Sequence, residues 1–134
     1  MTLQGGCHCG AVRYEISGEA KHVALCHCND CRKSSGAPMV SWAAFPEDAF
    51  TVTKGDITTF NSSGKTIRGF CAKCGTGISY RNEDFLPGIV DIQSVTLDDP
   101  DSLAPTAHIQ TAERLAWMEK AHEIPAFERF PTAG

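Results

Sequence analysis

Cys26-His27-Cys28-Asn29-Asp30-Cys31 places three thiols within six residues, and how that stretch is read decides the fold. Cysteines one or two residues apart can turn their sulfurs onto a common ion, and zinc takes four tetrahedral ligands about 2.3 Å from sulfur. Outward on either side lie Cys7-His8-Cys9 and Cys71-Ala72-Lys73-Cys74-Gly75, which hold the other four of the seven cysteines. An odd number at these spacings suits metal ligation better than a disulfide framework. One all-thiolate zinc uses four sulfurs and leaves three, whereas two closed all-thiolate sites would need eight. The economical partition joins Cys7 and Cys9 to Cys71 and Cys74, and gives Cys26, Cys28 and Cys31 to a second ion. A competing partition joins Cys28/Cys31 to Cys71/Cys74 as a zinc ribbon across 39 residues, and leaves Cys7, Cys9 and Cys26 unexplained. Spacing alone is silent on which pairs meet.

A zinc held by three thiolates keeps a fourth position for water or substrate, the feature that separates catalytic from structural sites. A thiol entering there would be deprotonated near neutral pH and held beside its reaction partner. The opposing reading is a purely structural second zinc, closed by a distant acid or histidine. His8 and His27 lie between ligating cysteines, where a side chain turns away from the metal its neighbours share, so they read as hydrogen-bonding supports.

The chain of 134 residues has the length of one domain, 1–134, able to bury roughly 70% of the surface its unfolded form exposes. Its formal charge is −4. Seven thiolates offset by two Zn²⁺ subtract three more, to about −7, which argues against a nucleic-acid partner. The start Met1-Thr2-Leu3-Gln4-Gly5-Gly6 has neither the basic nor the apolar stretch of a signal peptide, and no run reaches the ~20 apolar residues of a membrane span. A reducing, cytoplasmic setting is expected.

Short β-rich runs recur between turn residues: 11–16, 22–25, 39–45, 50–53, 57–60, 66–70, 77–80 and 89–95. The pattern predicts a mainly β protein. A short helical turn is expected over 31–35, capped by Asn29 or Asp30, and a terminal helix over 111–119. Trp42, Phe45, Phe60, Phe70, Tyr80 and Trp117 read as core or sheet packing, with Trp42 and Phe45 also placed to line a cleft. His108 reads as a half-buried strand residue bonded to backbone.

Gly6-Cys7-His8-Cys9-Gly10-Ala11-Val12-Arg13-Tyr14, the run from Cys26 to Ala37, and Phe70-Cys71-Ala72-Lys73-Cys74-Gly75-Thr76 resemble, in order, the signatures of the glutathione-dependent formaldehyde-activating enzyme family. Pro105-Thr106-Ala107-His108-Ile109 with Trp117 resembles its closing segment. The resemblance implies a β-tent fold of small antiparallel sheets with short helical segments. It implies a structural zinc on Cys7, Cys9, Cys71 and Cys74 and a catalytic zinc on Cys26, Cys28 and Cys31. It also implies carbon–sulfur lyase activity, joining glutathione to formaldehyde as S-hydroxymethylglutathione and reversing that step. On this reading Arg32, Lys33 and Ser35, beside the second motif, are candidate substrate contacts. The alternative is a non-catalytic, zinc-stabilised binding module, since fold does not fix function.

Overall fold

The computed structural model describes residues 2–131. Along the chain run β1 (Thr2–Gly6), β2 (Arg13–Ser17), β3 (His22–Cys26), α1 (Asn29–Ser35), β4 (Val40–Pro46), β5 (Phe50–Lys54), β6 (Thr58–Ser63), β7 (Thr66–Phe70), β8 (Gly77–Arg81), β9 (Ile89–Gln93) and β10 (Ala107–Ile109). Each β-rich run read from the sequence coincides with a strand. The strands form two sheets, a smaller one in the order β1-β2-β5 and a larger one in the order β10-β3-β4-β9-β8-β7-β6. All neighbours are antiparallel except β10, which runs parallel to β3.

The period-two alternation of β2 drives Tyr14 and Ile16 into the space between the sheets. There they meet Val23, Ala43, Phe45, Val90 and Ile92 of the larger sheet. The Tyr14 hydroxyl is bonded to Thr96 Oγ1 at 2.6 Å, so the buried ring leaves no polar atom unpaired. Gly5, opposite Tyr14 on β1, is required because a Cβ there would collide with the tyrosine hydroxyl. β4 is buried on both faces, which explains its continuous apolar run. Ala43 and Phe45 join the main core. Trp42 points to the opposite face, into a second cluster with Cys26, Cys31 and Val40, and its ring lies 5.6 Å from that of Tyr80.

The terminal helix expected over 111–119 does not form. Separate 3₁₀ turns occupy Thr111–Glu113 and Ala116–Glu123, with Arg114 and Leu115 extended between them. None of these residues is buried, so no packed apolar face offsets the entropy of fixing a helix. The packing expected of Trp117 and Phe60 also fails, since they are 61% and 59% exposed. Trp117 sits in that unburied segment, and Phe60 lies on β6 at the open edge of the larger sheet. No described helix is long and apolar enough to cross a membrane.

Candidate metal centre

Two tight turns, one in each sheet, build the first sulfur group. Between β1 and β2, the Cys7 amide donates to the Val12 carbonyl and the Gly10 amide to the Cys7 carbonyl. Between β7 and β8, the Cys71 amide donates to the Thr76 carbonyl and the Gly75 amide to the Cys71 carbonyl. Gly10 and Gly75 close the turns at φ 81° and 83°, a conformation costly for any residue with a side chain. The sulfurs of Cys7, Cys9, Cys71 and Cys74 all come within 4.8 Å of one another. Two of the separations, Cys7–Cys9 at 3.7 Å and Cys9–Cys71 at 3.8 Å, match the edge of about 3.8 Å expected of a tetrahedron with sulfur 2.3 Å from its centre. Without a cation these thiols cannot ionise together. The Thr76 hydroxyl and amide draw Cys74 down to about 5, while Cys9, despite the Ala11 amide, is driven up to about 11 by burial and the neighbouring sulfurs. A divalent soft cation resolves that conflict, so the donor set fits zinc.

The second group stands on the other face of the larger sheet, where β3 runs into α1. Cys28 is the N-cap of α1, and its sulfur accepts the Cys31 amide at 3.2 Å. Gly36, at φ 63°, ends the helix by donating to the Arg32 carbonyl. One short helix thus aims the sulfurs of Cys28 and Cys31 at Cys26, all within 4.8 Å. The Cys26 thiol, and against burial Cys28 and Arg68, draw Cys31 down to about 5, while the Cys31 sulfur and burial push Cys26 up. This set too can hold a soft dication, and among the described residues no fourth cysteine, histidine or carboxylate joins it. The open side faces a cavity of about 330 Å³, walled by Trp42, Tyr80, Arg68, Asp91, Phe85 and Ile109.

Arg68 carried no motif signal, yet it organises this site. It comes from β7, is 8% exposed, and donates to Asp30 Oδ2 at 2.8 Å, to Ser62 Oγ at 2.8 Å and to Cys31 Sγ at 3.5 Å. Its guanidinium also lies 5.1 Å from the centre of the Tyr80 ring. The only trace in the sequence is its place on the inward parity of 66–70, alternating with exposed Ile67. Asp91 was also missed by the sequence reading, and the signal that could have found it is a carboxylate inside the apolar run Ile89-Val90-Asp91-Ile92.

Of the three candidate substrate contacts beside the second motif, none lines the 330 Å³ cavity. Lys33 and Ser35 border a neighbouring cavity of about 440 Å³, which shares Trp42 and Arg68 as a wall with the first. Arg32 instead ties down the C-terminal segment, donating to the carbonyls of His27 and Glu113, both at 3.2 Å. His27 is fully buried and its Nε2 lies 2.9 Å from His108 Nδ1. His108 is therefore bonded to a ring rather than to backbone, and it is exposed, because β10 is an edge strand. Trp42 lines both cavities, whereas Phe45 is wholly core.

The chain is similar to known proteins in sequence and in fold. The family model described as glutathione-dependent formaldehyde-activating enzyme matches residues 2–113. A Halomonas elongata protein, provisionally named a glutathione-dependent formaldehyde-activating enzyme, is 27% identical in an 88-position alignment that covers 58% of this chain and 55% of that protein. The chain thus spans about half the length of this curated relative. A Rhodobacter sphaeroides protein of known crystal structure superposes with a TM-score of 0.64 at 22% identity, covering 79% of this chain and 99% of that one, a likeness of fold.

Proposed function

We propose, from the premise that this chain belongs to the glutathione-dependent formaldehyde-activating enzyme family, that it is a zinc-dependent carbon–sulfur lyase. Its reaction would join a glutathione-class thiol to formaldehyde or a small aldehyde, and reverse that step. One observation carries the reading. Three sulfurs converge without a fourth donor among the described residues and open on a cavity, while the other four sulfurs form a closed set. Bound at Cys26, Cys28 and Cys31, zinc would favour the thiolate form of a thiol at its open side.

The remaining roles fall to the chain's own residues. Arg68, fixed by Asp30 and Ser62, keeps a positive charge against Cys31 and helps the cluster stay ionised. Trp42 and Tyr80 give the cavity an apolar wall that limits water beside the sulfurs. Lys33 and Ser35, which border the adjoining cavity, would receive the carboxylates of a peptide-like thiol. We take residues 1–134 as one domain working in the reducing cytoplasm, where thiols stay free to bind metal.

The binding-module alternative requires a second cluster sealed against small molecules. Cobalt substitution distinguishes the two. Adding glutathione to the Co²⁺ protein should change the sulfur-to-metal absorption of the three-sulfur site and leave the four-sulfur site alone. An unchanged spectrum would turn the assignment toward a binding module.

A further inference from the structure

Asp91 occupies the middle of β9, paired with Ala44 of β4 on one side and Tyr80 of β8 on the other. Strands are poor in aspartate. Here it is 6% exposed, and its buried Oδ1 has no hydrogen-bond partner among the described residues. It lines the same cavity as Cys26, Cys28 and Cys31. The other carboxylate of that wall, Asp30, is engaged by Arg68, Ser62 and Ser63. Buried polar atoms without partners are few in folded proteins, and each one asks for a role.

We infer that Asp91 carries the proton in the addition of thiol to aldehyde, accepting it from the entering thiol and delivering it to the oxygen of the adduct. The inference rests on the thiol–aldehyde reading of the site given above. The step balances. The S–H bond breaks with its electron pair left on sulfur, and the proton goes to the carboxylate. The sulfur pair forms the C–S bond as the π pair of the C=O bond moves onto oxygen. The carboxylic acid then gives its proton to that oxygen, leaving a hydroxyl and a restored carboxylate. No oxidant or reductant enters, and the reverse reaction passes through the same states.

Its surroundings suit this exchange. Burial pushes the Asp91 carboxyl up to about 6, with His22 on β3 opposing the rise and Cys31 on α1 adding to it. Tyr80 on β8 lies directly across from it, with Arg68 of β7 over the tyrosine ring. Asp30 on α1 is spent on Arg68, and Val40, Trp42 and Ala44, which β4 puts on this face, carry no titratable group. A carboxyl titrating near neutrality can both take and return a proton.

The test compares the purified protein with Asp91→Asn, each with its metal counted. Adduct formation from glutathione and ¹³C-formaldehyde is followed by NMR between pH 5 and 8. The wild type should gain rate through the Asp91 titration. Asp91→Asn should lose on the order of 10²-fold and that pH limb with it, with metal content and the glutathione-induced cobalt band unchanged. In ¹³C-aspartate-labelled wild type, one carboxyl carbon missing from the variant should titrate between about 5 and 7. A variant within twofold of wild type with the same pH limb, a variant that loses metal or the cobalt band, or an Asp91 carbon that titrates at or below about 4, would each overturn the proton-carrier role while leaving the lyase reading in place. A wild type inactive with every aldehyde tried would instead sink the lyase reading, and this inference with it.

Discussion

A single side chain can carry a conflict between stability and chemistry, and Asp91 does. Its carboxyl is raised from the ordinary 3.8 to about 6, with burial as the main cause. The folded protein therefore binds this proton more tightly than the unfolded chain does. The associated stability is fully present below about pH 4 and is lost as pH rises through about 6, a penalty on the order of 3 kcal/mol at neutral pH. Asp91→Asn removes the charge and keeps the shape. Its urea midpoint should exceed that of wild type at pH 7.5, and the gain should shrink at pH 5. Equal midpoints at both pH values would mean the buried carboxylate is solvated in a way its 6% exposure does not suggest. Arg68 presents the opposite case, a buried charge fully engaged by Asp30, Ser62 and Cys31. At this scale the cysteines were legible because ligation demands close spacing. Arg68 was not, because it reaches Cys31 from 37 residues away.

At the scale of elements, the eight β-rich runs were legible because alternation and turn residues are local signals. β1 was missed because Thr2-Leu3-Gln4-Gly5-Gly6 has little propensity of its own, and it becomes a strand by pairing with β2. The terminal helix was misread because composition does not reveal whether a segment finds a surface to pack on. The two cysteine turns also differ in what they support. Cys71 is 1% exposed and packs in the main core with Val12 and Ile78. Cys71→Ser would open the closed sulfur set and bury a hydroxyl among apolar neighbours, so loss of soluble folded protein is expected. Cys28 caps α1, and serine is among the best N-caps, so Cys28→Ser should keep the helix. That variant should stay folded with about one metal fewer per chain. Circular dichroism together with metal counting decides the point. Equal disruption by both substitutions would contradict the division of labour between the two groups.

For the whole molecule, that division follows from what each group connects. Cys7 and Cys9 belong to the smaller sheet, Cys71 and Cys74 to the larger one, so a metal there fastens the two sheets across their shared core. Cys9 and Cys71 are 62 residues apart, whereas Cys26 and Cys31 are separated by only five positions. Cross-linking the longer loop removes more freedom from the unfolded chain, a difference of about 2 kcal/mol from loop closure alone. A metal at Cys26, Cys28 and Cys31 constrains only the entrance to α1, which already has its cap and its glycine stop. With three protein donors rather than four, this site should also yield its ion first. Titration with a chelator should therefore release zinc in two phases. The first should leave far-ultraviolet circular dichroism and the melting temperature almost unchanged while abolishing the glutathione response. The second should coincide with unfolding, because the sheets lose their only metal link among the described residues. Release in one phase together with unfolding would mean that the cavity-side cluster is as structural as the other. The open side of that cluster would then no longer distinguish a working centre from a second staple.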